Sequence, residues 1–222
     1  MKGVNPYQQQ LSAPDIVAGK HREIVGGLWD EISQLQLDFL VGAGLLPEHR
    51  LLDVGCGCLR GGVRFVRYLH EGNFYGLDIN ASLVEAGKLE LELAGLSHKR
   101  AHLLVDNAFR VSGFECQFDY VFAHSVFTHL FLNHITRCIC EVSKVLLPAG
   151  KFYATFFAAP HPVHLDPIAH IPGNIVTNFD VDPFHYSFEE LRWVAAQVDL
   201  NARLIGEWGH PREQQMICFT KR

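Results

Sequence analysis

The spacing of apolar and polar positions changes several times along the chain, and each change marks an element. Leu28, Ile32, Leu35 and Phe39 recur three and four residues apart, which predicts a helix with one apolar stripe leading into the first strand. Short apolar runs at 50–54, 73–77, 101–105, 118–123 and 151–157 predict five strands separated by helical segments. Ser82-Leu83-Val84-Glu85 reads as a capping box, in which the serine oxygen takes an orphan N–H and the glutamate reaches back, and Gly95 reads as the stop of that helix. Ile135, Ile139, Val142, Val145 and Leu146 repeat at helical spacing until Pro148. Ser187-Phe188-Glu189-Glu190 is a second capping box, opening a helix to about Val198. Two last strands follow at 202–207 and 215–220, around Gly209 and Pro211.

Strands alternating with helices predict an α/β fold with a mainly parallel sheet and right-handed crossovers. The final connection is too short for a crossover helix, so the last two strands are expected to pair antiparallel. The expectation is one domain over 1–222, with 1–27 as an N-terminal cap and 158–186 as a loop-like insert over the acceptor site. The insert is rich in proline and histidine, and long connections of this kind serve as lids or binding loops.

Composition narrows the function. A chain of 222 residues with 48% apolar and 19% charged residues is neither disordered nor fibrous. A net charge of −5 argues against a surface that grips nucleic acid, since phosphate binding needs a basic footprint. No apolar run reaches the roughly 18 residues of a membrane span, and the N-terminus has no apolar signal segment. Cys56-x-Cys58 and Cys138-x-Cys140 lack the spacing of zinc sites, and six cysteines without a signal segment are expected to be reduced thiols. A cytoplasmic location is therefore expected, without membrane or nucleic-acid partners.

The most informative segment is Leu51-Leu52-Asp53-Val54-Gly55-Cys56-Gly57-Cys58-Leu59-Arg60-Gly61-Gly62, a strand running into a glycine-rich turn. A dinucleotide fingerprint counted from Gly55 would need its third glycine at position 60, where Arg60 stands. Asp53 precedes Gly55 by two residues; a carboxylate there suits a cationic ligand better than a pyrophosphate. Asp78 ends the second strand, 21 residues after Gly57, where an acidic side chain hydrogen-bonds ribose hydroxyls. S-adenosylmethionine (SAM) fits the description of a ligand with a ribose, no phosphate and a positive end.

These residues resemble the class I SAM-dependent methyltransferases. Residues 51–57, with Asp53, Gly55, Cys56 and Gly57, look like the family's first motif, and 75–79, with Asp78 and Ile79, look like its second. Asp106-Asn107-Ala108 resembles the third, where the acidic group meets the adenine amine, and 118–122 resembles the fourth strand. Val145-Leu146-Leu147-Pro148-Ala149-Gly150 resembles the turn before strand five. Arg60 and Gly61 depart from the usual glycine after Gly57, and Ala149 replaces a glycine. Cys58-Leu59-Arg60-Gly61, and Trp208-Gly209-His210-Pro211 followed by Gln214, are similar to a bacterial subgroup associated with polysaccharide and secondary-metabolite pathways. The resemblance implies a Rossmann-like seven-stranded, mostly parallel sheet with helices on both faces and an antiparallel final strand. It also implies SAM as cofactor and S-adenosylhomocysteine as product.

Ligands in open α/β sheets bind beyond the carboxyl ends of the strands, which puts His124 and Ser125 near the methionine part of SAM. If the acceptor is a hydroxyl, a base must take its proton; His129, or else His124, is the candidate. Each is equally readable as a buried histidine bonded to a carbonyl. Arg60 reads as an anchor for the SAM carboxylate or as a surface ion pair. Tyr7, Trp29 and Trp208 are candidates to line an acceptor pocket, with core packing the alternative for Trp29. His161 and His164 read as substrate contacts; with Asp166 and His170 they offer metal-ligand types, but at no recognised spacing, and no metal is expected. The absence of Asn-Pro-Pro-Tyr or Asp-Pro-Pro-Tyr after the fourth strand removes the usual amide and exocyclic-amine signature. The leading expectation is a methyltransferase acting on a small molecule, on the hydroxyl oxygen of a sugar or natural product. The alternatives are N-methylation of a small amine, a SAM-binding protein without catalysis, and an NAD-dependent oxidoreductase. Monomer and homodimer are both compatible with the sequence.

Overall fold

In a computed structural model of the protein, the structure describes residues 10–171 and 173–222. They pack as two units, 10–107 and 108–222. The first holds α1 (Ala13–Val17), α2 (Lys20–Ile24), α3 (Trp29–Gly42), β1 (Leu51–Val54), α4 (Gly62–Tyr68), β2 (Phe74–Asp78), α5 (Ala81–Leu93) and β3 (His102–Val105). β1 and β3 flank β2, all parallel, with Asp53 beside Gly76 and Leu77 beside Leu104. Every residue of β1 and β2 is buried, the pattern of parallel strands covered on both faces.

Two local expectations are corrected in this unit. α5 is capped by Asn80, not Ser82: the Asn80 side chain accepts the N–H groups of Ser82 and Leu83, placing Ser82 inside the first turn. Asn80 is itself held, because its N–H donates to Asp78 Oδ1 at 2.8 Å. The buried face of α3 is Ile32, Ser33, Gln36 and Leu40 rather than the wholly apolar stripe, and Leu28 lies outside the helix, half exposed. Ser33 tolerates burial because its hydroxyl donates to Asp30 O and accepts from Arg64 Nε. Gly95 stops α5 as expected, with φ +69°, and Leu96 N–H returns to Leu91 O.

The described part of the N-terminal segment forms a strap across this unit. Leu11, Ile16, Val25 and Trp29 pack on Cys58, Leu83 and Ala86. Arg22 grips Glu90 with two bonds of 2.7 Å, and His21 Nε2 meets the same carboxylate. Arg60 donates to the carbonyls of Val25 and Gly27, both at 2.8 Å.

The second unit holds β4 (Phe118–Ala123), α6 (Leu132–Val145), β5 (Leu146–Ala158), β6 (Ile168–His170), β7 (Ile175–Thr177), β8 (His185–Tyr186), α7 (Phe188–Ala196), β9 (Leu200–Gly206) and β10 (Gln215–Lys221). β4 runs parallel to β5, while β10 lies between β5 and β9 and is antiparallel to both. The final strand is thus antiparallel, as expected. Its core is aromatic: Phe152 lies 5.2 Å from Phe219, and Phe127 packs on both. The strand directions give the mixed, mostly parallel α/β fold that the sequence predicts.

The insert at 158–186 is more regular than a loop. β6 and β7 pair antiparallel with His170 opposite Ile175, and β8 adds two residues parallel to β5. Buried histidines replace an apolar core here: Thr177 Oγ1 lies 3.0 Å from His170 Nε2 and 3.1 Å from His185 Nδ1.

The second capping box forms as expected. Ser187 accepts Glu190 N–H, and Glu190 accepts Ser187 N–H at 2.7 Å. The Ser187→Ala protein is expected to lose about 1 kcal/mol, lowering Tm by roughly 2–4 °C; a calorimetric scan checks it, and an unchanged Tm would show that this cap does not support the fold.

Candidate active site

In the first unit the carboxyl ends of β1, β2 and β3 gather the predicted cofactor residues. β1 breaks at Gly55, with φ +74°, and the backbone turns back so that Gly55 and Cys56 N–H both donate to Leu77 O. Gly57 has φ +53°, conformational territory that favours glycine. Its N–H donates to Asp78 Oδ2 at 2.8 Å, and a methyl group on it would meet Val25 of the strap at 3.5 Å. Asp78 therefore holds the glycine loop with one oxygen and the Asn80 backbone with the other. Asp106 N–H donates to Asp78 O, which ties the end of β3 to the end of β2. Asp53, Asp78 and Asp106 are all buried, Ile79 is half-buried, and Asn107 is exposed.

Burial pushes the Asp53 carboxyl from 3.8 up to about 7; the Asp78 charge adds to the rise and Arg60 opposes it. Burial also raises Asp78, against the hydrogen bonds it accepts from Asn80, Gly57 and Ile79. Two buried carboxyls held above their ordinary range would be stabilised in the charged form by a cation placed beside them. A raised folded-state pKa means that the native state binds more protons than the unfolded chain. Apoprotein stability should therefore fall as pH rises from about 4 to about 7. Asp53→Asn is expected to flatten that fall, read from denaturant unfolding at several pH values; an unchanged slope would remove Asp53 as its source.

In the second unit, β4 ends at Ala123, and the chain turns through His124 and Ser125. Ser125 has φ +56°, a strained value for a residue with a side chain, costing on the order of 1–3 kcal/mol. Its backbone and side chain are engaged: N–H donates to Thr155 Oγ1 at 2.7 Å, C=O accepts from Thr128 Oγ1 at 2.9 Å, and Oγ donates to Gln214 Oε1 at 3.0 Å. Thr155 and Gln214 are buried, and Thr155 also donates to Gln214 Oε1. The His124 ring lies 5.8 Å from Trp208 and 5.2 Å from His210, and Trp208 stacks on His210.

His129 sits in the short 3-10 turn Phe127–His129, with Nδ1 2.5 Å from Asp182 Oδ1; both side chains are about one-fifth exposed. Asp182 comes from the insert. Around it the insert is pinned by Phe184 N–H donating to Thr128 O and by Tyr186 Oη donating to Leu130 O.

The structure thus brings Asp53, Gly55, Cys56, Gly57, Arg60, Asp78, Ile79, Asp106 and Asn107 into one unit, and Ala108, His124, Ser125, His129 and Trp208 into the other. Arg60 reaches the strap carbonyls, which gives it a role beyond the two foreseen. Trp29 lies under the Arg22 guanidinium at 4.7 Å and edge-on to His21, within the strap's packing. His161 Nε2 lies 3.2 Å from His164 Nδ1 on the insert's surface. Among the described residues no group of three or more ligand-type side chains could hold a metal ion. Tyr7 lies outside the described residues. Sequence reasoning missed Asp182, Thr155 and the hydrogen-bonding of Gln214. An acidic residue before a proline in a histidine-rich insert was the only cue to Asp182, and Thr155 had none.

The family described as a methyltransferase domain matches residues 52–152. A curated relative, 24-methylenesterol C-methyltransferase 2 of Oryza sativa subsp. japonica, is 27% identical over 128 residues, which is 55% of the chain. The matched stretch spans about a third (34%) of that relative's length. Among solved structures, the CcbJ methyltransferase of Streptomyces caelestis superposes with a TM-score of 0.69 at 13% identity, covering 99% of both chains. Magnesium protoporphyrin IX methyltransferase of Synechocystis PCC 6803, solved with bound SAM, gives 0.62 at 13% identity over 96% of this chain and 86% of its own.

Proposed function

We propose that the chain, whose residues 52–152 match a methyltransferase domain, is a class I SAM-dependent methyltransferase that methylates a small molecule on a hydroxyl oxygen, of a sugar or a natural product. The cofactor suits the first unit's residues. Asp78 would take the ribose, Asp106 and Asn107 the adenine side, and the Gly55–Gly57 turn with Asp53 the cationic methionine end. When bound, SAM supplies a methyl group already activated by its sulfonium. The protein's own task is to orient the acceptor and to hold its proton.

The observation that carries the oxygen reading is the His129–Asp182 pair. With Nδ1–H donated to the carboxylate, Nε2 is the basic nitrogen, and Asp182 stabilises the imidazolium that forms when the hydroxyl proton arrives. His124 is set differently. Its Nδ1 faces the Ser125 hydroxyl at 3.3 Å, a neutral partner that offers no such charge compensation. His129 is therefore the proposed base, and His124 the proposed neutral hydrogen-bond acceptor. Trp208, His210 and the insert with His161 and His164 are proposed to face the acceptor. A location in the cytoplasm, on a single domain with its cap and insert, completes the reading; among the described residues no helix is long and apolar enough to cross a membrane.

The test is turnover of SAM to S-adenosylhomocysteine with pools of sugars, hydroxylated metabolites and amines, followed by mass spectrometry of the product. A methyl ether supports the proposal. A methylamine product moves the acceptor to nitrogen, and SAM binding without turnover on any pool overturns the catalytic reading.

A further inference from the structure

Ser125 keeps a strained backbone conformation only because its surroundings enforce it, and two of the groups that enforce it meet at one atom. Gln214 Oε1 accepts from Thr155 Oγ1 at 2.7 Å and from Ser125 Oγ at 3.0 Å. Thr155 Oγ1 in turn accepts Ser125 N–H at 2.7 Å. Each hydroxyl has a single proton. The Thr155 proton goes to Gln214, and so does the Ser125 proton. Ser125 Oγ then has only lone pairs left, and at 3.3 Å it faces His124 Nδ1. That nitrogen must donate, so it carries the ring proton and Nε2 is left as the acceptor. A carbonyl oxygen on Gln214, two residues removed from His124 in the bonding chain, thereby decides which face of the imidazole is basic.

We propose that Gln214 is a positioning residue for the proposed methyl transfer: through Ser125 it fixes the Nδ1–H form of His124, whose Nε2 is buried. Its bearing on catalysis rests on the proposed methyl transfer, whereas the proton placement follows from the hydrogen bonds. Gln214 suits the role because it is buried and because Trp208 Nε1 donates to its backbone carbonyl at 2.9 Å, which fixes its position independently of its side chain.

The experiment is long-range proton–nitrogen NMR of the histidine rings in the 222-residue chain without cofactor, with His124 assigned by its loss in His124→Asn. In the wild type, His124 is expected to show protonated Nδ1 and bare Nε2. Gln214→Met keeps the volume and removes the acceptor; the Ser125 proton is then free to turn to Nδ1, and the preference for Nδ1–H is expected to fall about five-fold. Gln214→Glu retains an acceptor oxygen and is expected to restore the wild-type pattern, which volume filling alone would not explain. Where Gln214→Met fails to fold by circular dichroism, Ser125→Ala reports on the same relay. Wild-type His124 protonated on Nε2, or an unchanged ring in both Gln214→Met and Ser125→Ala, overturns the proposal. Failure of the methyltransferase reading would instead show as absent SAM turnover with the ring pattern intact.

Discussion

The Asp78→Ala protein is expected to bind SAM at least about a hundred-fold more weakly than the wild type by isothermal titration calorimetry. Two losses add. Bonds from a carboxylate to two ribose hydroxyls contribute roughly 1.5–3 kcal/mol each, so losing both costs on the order of 10²–10⁴ in affinity. The same substitution also strands the N–H groups of Gly57 and Asn80, which the carboxylate accepts at 2.8 Å each, and so loosens the glycine loop itself. Affinity within about three-fold of wild type would show that Asp78 serves only the loop and that the ribose is held elsewhere. Asp78→Asn separates the contributions, because one amide oxygen can still accept while the amide nitrogen faces a donor.

The second large effect concerns the proposed base. His129→Ala is expected to lower kcat by roughly 10²–10⁴, the usual contribution of general-base catalysis, with SAM affinity unchanged. Asp182→Asn keeps the shape of the pair and replaces the charge. It should lower kcat as well, because the imidazolium loses its counter-charge while the ring keeps its place. A His129→Ala enzyme with near-normal turnover on a hydroxyl acceptor would take His129 out of the mechanism. Loss of SAM binding in either variant would instead reveal a folding defect.

Local chemistry in this chain was readable, and distant chemistry was not. The Ser187–Glu190 box works because both partners lie within one turn, where nothing competes. The Ser82 box failed because Asn80, anchored by Asp78, starts the helix two residues earlier and takes the Ser82 hydroxyl proton as well; the anchor lies on a strand, outside any window that scans a helix start. The spacing of Gly57 and Asp78 is a local signature of the β1–β2 unit, and the structure joins them with a hydrogen bond. The pairing of His129 with Asp182 spans 53 positions, and the meeting of Thr155 with Gln214 spans 59. No periodicity encodes such distances. The hairpin of β6 and β7 was not foreseen, because the prolines and histidines around its short apolar runs read as a loop.

Arg60 holds the strap by the carbonyl oxygens of Val25 and Gly27, and every amino acid carries that oxygen. The contact reads the path of the backbone and is blind to the side chains along it. Composition and anchoring are thereby separated: the exposed positions of the strap are free to diverge without loosening it, whereas Arg60 and the Arg22–Glu90 pair have no such latitude. Variation in this region is then a poor guide to whether a related chain keeps the strap, and an arginine at position 60 is a better one.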